Sequence, residues 1–226
     1  MLQAHDWVIK KYNSWGINSK NEQFGQWRAW ERGISHIDMM SPWVKSLEGQ
    51  QLSWSASTKK NGELGEVVNI PYESKEKFES WLKTIKGKHV LLGEPDISGR
   101  PDYDIERWAK EKTLEEIRKF RLTKGSRQAR NIRKTGYAYS DMIKAIEDAK
   151  PAAIITSNWQ GGFGTNTIFS PGSFGISSDT PTVDVSMEDF GLLFRLAESG
   201  QKPTVNINIQ SKELGKVPTY NSIGRI

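Results

Sequence analysis

The spacing of apolar positions changes period along this chain. Between Asp6 and Trp15 it is helical: Trp7, Lys11 and Trp15 fall four apart, with Val8 and Tyr12 beside that row. Gly16 follows, in the position where a left-handed glycine ends a helix. The pattern then shortens. QFGQWRAW, GISHIDMM, QLSWSAS and GEVVNIP are brief apolar runs separated by glycine, proline or a KNG turn, and they predict strands. A helix is predicted from Ser74, whose hydroxyl can cap it; Lys77 at the third position leaves the capping box incomplete. Phe78, Trp81, Leu82 and Ile85 follow at helical spacing, and KHVLLGEP reads as a buried strand.

The second half alternates helices with strands. Ile105, Trp108 and Ala109 mark one helical face, and Thr113 with Glu116 forms a capping box at which a helix can restart. Met142, Ile143 and Ile146 are the inward side of a shorter helix, and PAAIITSN is a strand. Ser186 caps a further helix with Asp189 at its third position, with Leu192, Leu193 and Leu196 as its apolar stripe and Gly200 as its stop. Val205, Ile207 and Ile209 alternate strictly, as in a half-buried strand. Strands first, then helices between strands, predict an α+β fold: a β-sandwich or open-barrel core flanked by helices. No repeat of solenoid period is present.

Composition narrows the chemistry. Of 226 residues, 36% are apolar and nine are tryptophan, enough to bury a core. The absence of cysteine excludes disulfides, thiolate catalysis, iron–sulfur clusters and cysteine-bound zinc. No apolar run reaches membrane-spanning length. The net charge is +5, yet the segment Arg118–Lys134 alone holds eight basic residues and no acidic one, so the rest of the chain is net acidic. Within that segment Lys124, Arg127, Arg130 and Arg133 recur every third residue and form a candidate basic surface, with Tyr137 and Tyr139 close by. Such a surface can contact nucleic-acid phosphates; the alternative is a solvated or partner-facing insert.

Motifs for catalysis are sparse. His36-x-Asp38 has the spacing of a metal-ligand pair, but it lies in the β half, and only His5 and His89 remain as further histidines. The glycine-rich SNWQGGFGTN lacks the lysine followed by serine or threonine that a phosphate loop needs. The run Gly172-Ser173-Phe174-Gly175 is one residue short of a nucleophile elbow.

The order of KGKHVLLGEP, DAKPAAIITSN, TPTVDVSMEDFGLLFRLAESG and VPTYNSIGRI resembles the protease-associated domain region of zinc exopeptidases, nearest to plasma glutamate carboxypeptidase-like aminopeptidases. The similarity runs from about Trp15 onward and is strongest from Gly87; the region Arg100–Tyr139 is longer and more basic than that pattern. The resemblance implies three parts: a helix at 1–16 belonging to the peptidase fold, a protease-associated domain at 17–215 with a basic helical insert at about 100–139, and a strand at 216–226 leading back into a catalytic domain. It implies a periplasmic or secreted protein whose zinc ligands lie in the parent peptidase, beyond Ile226, so that this chain itself holds no catalytic residue, metal or cofactor. It assigns Asn158, Trp159 and Phe163 to a substrate-access loop. The implied partners are the catalytic domain, its peptide substrates and a possible second copy. The tail VPTYNSIGRI is then expected to be loosely ordered, or to pair through its open edge with another copy.

Overall fold

The computed structural model describes residues 2–163 and 170–225. The chain divides into two units, residues 32–211 and residues 2–31 with 212–225. Along the chain lie α1 (Leu2–Ser14), β1 (Asn18–Ser41), β2 (Lys45–Ser46), β3 (Gly49–Gln51), β4 (Glu63–Asn69), α2 (Lys75–Leu82) and β5 (His89–Leu91). Then follow α3 (Asp102–Trp108), α4 (Glu111–Leu122), α5 (Lys124–Lys134), α6 (Tyr139–Asp148), β6 (Ala153–Thr156), β7 (Thr182–Val185), α7 (Met187–Glu198) and β8 (Thr204–Arg225). The fold is mixed α and β, with one eight-stranded sheet in the order β2-β1-β8-β4-β5-β6-β7-β3.

In the larger unit the centre of the sheet is parallel, β4–β5–β6–β7, and its flanks are antiparallel, β8 on β4 and β3 on β7. Parallel strands need crossovers and are covered on both faces. That is why β5 and β6 are buried at every position. Leu91, Ala153 and Ile155 face one core, closed by Phe190, Leu193 and Leu196 of α7. Val90 and Ile154 face the other, closed by Phe78 of α2 and by Met142, Ile143 and Ile146 of α6. The predicted inward residues of α6 are therefore the buried ones. In α7 the buried stripe includes Phe190, whereas Leu192 is only partly covered.

The strands form one sheet, not two stacked sheets, and a short segment joins the ends of its order. Lys45 and Ser46 pair with Met39 and Asp38 of β1, and three residues further on Gly49–Gln51 pair with β7. The amide of Leu47 still donates to Ile37, and that of Ser186 donates to Glu48. A side chain at Gly49 would meet the Asp184 carbonyl at 2.7 Å, Val185 at 2.8 Å and Ile37 at 2.9 Å, so the closure needs glycine there.

Several local readings change. The runs predicted as two strands before and after Gly33 are one 24-residue strand, β1. Gly33 is not a turn; it lets the backbone of Gln210 come within 2.6 Å of where a Cβ would sit. QLSWSAS is a loop beyond Gln51, with Trp54 in the left-handed region at φ +64°. The helix restart expected at Thr113 occurs at Lys110, whose extended backbone breaks the chain between α3 and α4. Both predicted serine caps form: Ser74 accepts from the amide of Lys77 and Ser186 from that of Asp189. The Asp189 carboxylate does not close a box; it accepts from the Glu48 amide at 2.7 Å and pairs with Lys45 at 2.5 Å.

The smaller unit is a helix on a two-stranded ribbon. Gly25 lies against Thr219, and Ser222 bonds Asn21 at 2.9 Å. The two strands thus run in opposite directions. The helix α1 is held to them by His5 on Ser222 (2.9 Å), by Tyr12 against Gly224, and by the Ser19 hydroxyl donating to the Ile9 carbonyl. The tail expected to be loose is the second strand of this ribbon, in β8 as far as Arg225. Among the described residues none in this unit is buried, and Trp7, Trp15, Phe24 and Trp27 are 61–66% exposed.

Candidate functional site

The glycine-rich loop leaves the carboxyl end of β6, where open α/β sheets place their functional loops. Thr156, the last residue of β6, donates its hydroxyl to Asp184 at 2.7 Å, and the amide of Asn158 donates to the same oxygen at 2.9 Å. Asp184 is 1% exposed. A buried carboxylate needs such donors, and here they fix the direction in which the loop leaves the sheet. The Asn158 side chain accepts from Gln160 at 2.8 Å. Trp159 donates its indole N–H to the Gly162 carbonyl at 2.6 Å, folding residues 159–162 into a compact turn. Phe163 is 55% exposed. The rest of the glycine-rich segment, 164–169, lies outside the described residues.

The basic insert lies against this loop. From α4, Arg121 reaches the carboxylates of Asp96 (3.0 Å) and Asp102, and the carbonyls of Ser98 (3.0 Å) and Arg100 (3.1 Å). Its guanidinium also stacks over the Trp159 ring, 4.6 Å from the centroid. From α3, Tyr103 meets Phe163 edge-on, with ring centroids 6.0 Å apart. The strip 93–100 that Arg121 grips is held from the other side by α7: the Asp96 amide donates to the Met187 sulfur and the Gly99 amide to Glu188.

The four candidate basic residues do not form one face. A step of three in a 3.6-residue helix drifts by about 60° each time, so Lys124 and Arg133 lie about half a turn apart. Arg127 points inward: it pairs with Glu94 at 3.1 Å, donates to the Phe120 carbonyl and stacks 3.7 Å over the Phe120 ring. Asn131 reaches the same Glu94 at 2.7 Å. Glu94 in turn pushes the Tyr72 hydroxyl up, adding to the larger effect of burial. Of the eight cations, Arg118, Arg121 and Arg127 are engaged with carboxylates. Arg130 and Arg133 are exposed, and neither is in an ion pair among the described residues.

His36 and Asp38 share the outward side of β1, as their spacing dictates, while Ile37 and Met39 point into the core. No group of three metal-ligating side chains gathers there or elsewhere among the described residues. His89 is enclosed at the junction of β4, β5 and β8, with Nε2 3.0 Å from the Val205 carbonyl and 3.1 Å from the Glu63 carbonyl. Burial holds its imidazole below the ordinary value of 6.5, against those two hydrogen bonds. The ring is thus neutral with its proton on Nε2, and its position is structural.

Sequence reading located the loop but missed what grips it. Asp184 carried a signal: a lone acid in the strand TVDV, where each neighbour is apolar or β-branched. Arg121 and Tyr103 carried none, because nothing in a run of cations shows which one turns inward.

No protein family matches the chain at the sequence level, and neither does any curated protein. Solved structures do match its fold. One is an M28 peptidase precursor from Shewanella amazonensis, with TM-score 0.59 and 17% identity over 98% of this chain and 44% of that one. A zinc aminopeptidase from Bacillus subtilis matches with TM-score 0.52 and 14% identity, over 98% of this chain and 40% of its own. An aminopeptidase from Aneurinibacillus sp. strain AM-1 matches with TM-score 0.50 and 13% identity, over 99% and 42%. This chain spans about two-fifths of the length of these structures, and its fold is that of a region of M28-type and zinc aminopeptidases.

Proposed function

We propose that this chain is the non-catalytic, protease-associated part of an exported zinc exopeptidase. The observation that carries the reading is the smaller unit. It has a regular helix and ribbon, no buried residue among those described, and four large aromatic side chains more than half exposed. Large apolar side chains left exposed on a unit without a core of its own fit a surface that another domain covers, and the matched aminopeptidases are more than twice as long as this chain. In this reading a peptidase domain covers the smaller unit, and the larger unit carries the loop Asn158–Phe163 toward incoming peptide. Zinc and its ligands belong to that peptidase domain, and catalysis proceeds there; the residues of this chain orient the peptide and limit what enters.

The purified chain, incubated with zinc and an aminoacyl p-nitroanilide, is expected to release no nitroaniline; zinc-dependent turnover would overturn the reading. The competing reading, nucleic-acid binding through Arg118–Lys134, is favoured by the exposed cations Arg130 and Arg133 and weakened by the inward engagement of Arg121 and Arg127. Titration with DNA and RNA at two salt concentrations separates the two. Affinity that falls steeply with salt supports the nucleic-acid role, and no binding at low salt removes it.

A further inference from the structure

We infer that the basic insert is a clasp for the access loop, with Arg121 and Tyr103 as its positioning residues. The inference rests on the proposed function only for what the loop meets; the clasp itself stands on geometry within the larger unit.

The loop residues 159–163 touch the insert at both ends of their turn. At one end the Trp159 ring lies under Arg121, at 4.6 Å, and at the other Phe163 meets Tyr103, at 6.0 Å. Arg121 is itself immobilised. It is 15% exposed at its side chain, and its donors are divided among two carboxylates and two backbone carbonyls. A guanidinium can do all this at once because its donors lie in one plane, leaving the flat face free to stack on indole. The same group therefore closes the strip 93–100 and presents a rigid cationic lid to Trp159. The Asp96 carboxylate it neutralises is 2% exposed, so Arg121 is held by more than the loop it holds.

Among the described residues the loop's start is tied through Asn158 to Asp184, and its interior by Trp159 on Gly162 and Gln160 on Asn158. A short turn with a positive-φ glycine at Gly161 and an exposed phenyl at its end opens readily unless something covers it. The insert supplies that cover. The charge read in sequence as a surface for polyanions is, at Arg121, part of the fold's internal wiring. The contacts the loop offers to a peptide would then depend on a residue far from it in sequence.

Two variants test this in the chain alone, without substrate. Arg121→Lys keeps a cation for Asp96 but lacks the planar fork, and Tyr103→Ala alters an exposed position. Chymotrypsin cleavage after Trp159 and Phe163 is followed by mass spectrometry. 5-Fluorotryptophan labelling, with Trp159→Phe to assign its resonance, follows the indole by fluorine NMR. In Arg121→Lys the Trp159 resonance is expected to shift while the other assigned indoles hold. Loop cleavage is expected to accelerate about tenfold in Arg121→Lys and by a smaller factor in Tyr103→Ala, and in both to rise more at the loop than at sites elsewhere in the chain, whatever the change in thermal midpoint. Loop cleavage unchanged in both variants overturns the clasp. So does cleavage that rises equally at every site, since Arg121 would then serve only global stability. Because no peptidase or peptide is present, failure here leaves the accessory-domain reading to its own tests.

Discussion

The two units use apolar residues in opposite ways. In the larger unit every strand but the two-residue β2 buries side chains: Val205, Ile207 and Ile209 are buried and alternate with half-exposed residues along β8, and helices close both sides of β5 and β6. In the smaller unit the same strand continues, but Tyr220 and Ile223 are only half-buried and Trp27 is mostly exposed. Secondary structure alone therefore does not make a core. A ribbon with one helix has too few layers to enclose a tryptophan.

The strongest way to break this comparison is to cut a side chain from each unit. Phe190→Ala, in the core under α7, is expected to cost about 3–5 kcal/mol in urea unfolding. Trp27→Ser should change stability by less than about 0.5 kcal/mol. Comparable losses from both would mean that the smaller unit has a core of its own. Gly49→Ala comes next: its methyl group would press on Asp184, Val185 and Ile37, and we expect a loss of about 1–3 kcal/mol by the same measurement. No loss would show that the link between the ends of the strand order is loose.

The third effect is pH-dependent and belongs to the larger unit alone. His89 has a folded-state pKa below its unfolded value, because burial disfavours the imidazolium. Below about pH 6.5 the unfolded chain takes up a proton that the folded chain resists, so this contribution is present above that pH and is lost as pH falls. The thermal midpoint should drop between pH 7 and pH 5, and it should still drop in the His5→Gln/His36→Gln double variant. A flat profile would show that His89 is solvated. The smallest effect on stability has a distinct readout: Trp7→Ser with Trp27→Ser should leave the midpoint almost unchanged while lowering binding of an apolar fluorescent dye. Undiminished dye binding would place the exposed apolar surface elsewhere.

Where one face of an element is buried, the sequence was legible. The stripe of α6, the alternation in β8 and the caps at Ser74 and Ser186 were all readable, because each depends on residues within a turn or two. What failed depended on distant contacts. Gly33 reads locally as a break, and only the approach of Gln210 makes it an interior strand position. Gln51 begins an apolar-looking run, but the chain leaves the sheet as soon as pairing with β7 ends. At the candidate site the loop was visible from its glycines, whereas the two residues that grip it were not. Arg121 differs from its neighbouring cations only in facing Asp96 and Trp159, and that facing is set by how α3 and α4 break at Lys110.

Gly33 also sits where the chain enters the larger unit, against Gln210, where the chain leaves it. Entrance and exit are thus side by side on two antiparallel strands. A unit with that property is a cassette: it can be acquired, exchanged or lost through two neighbouring junctions, without re-routing the strands that carry it.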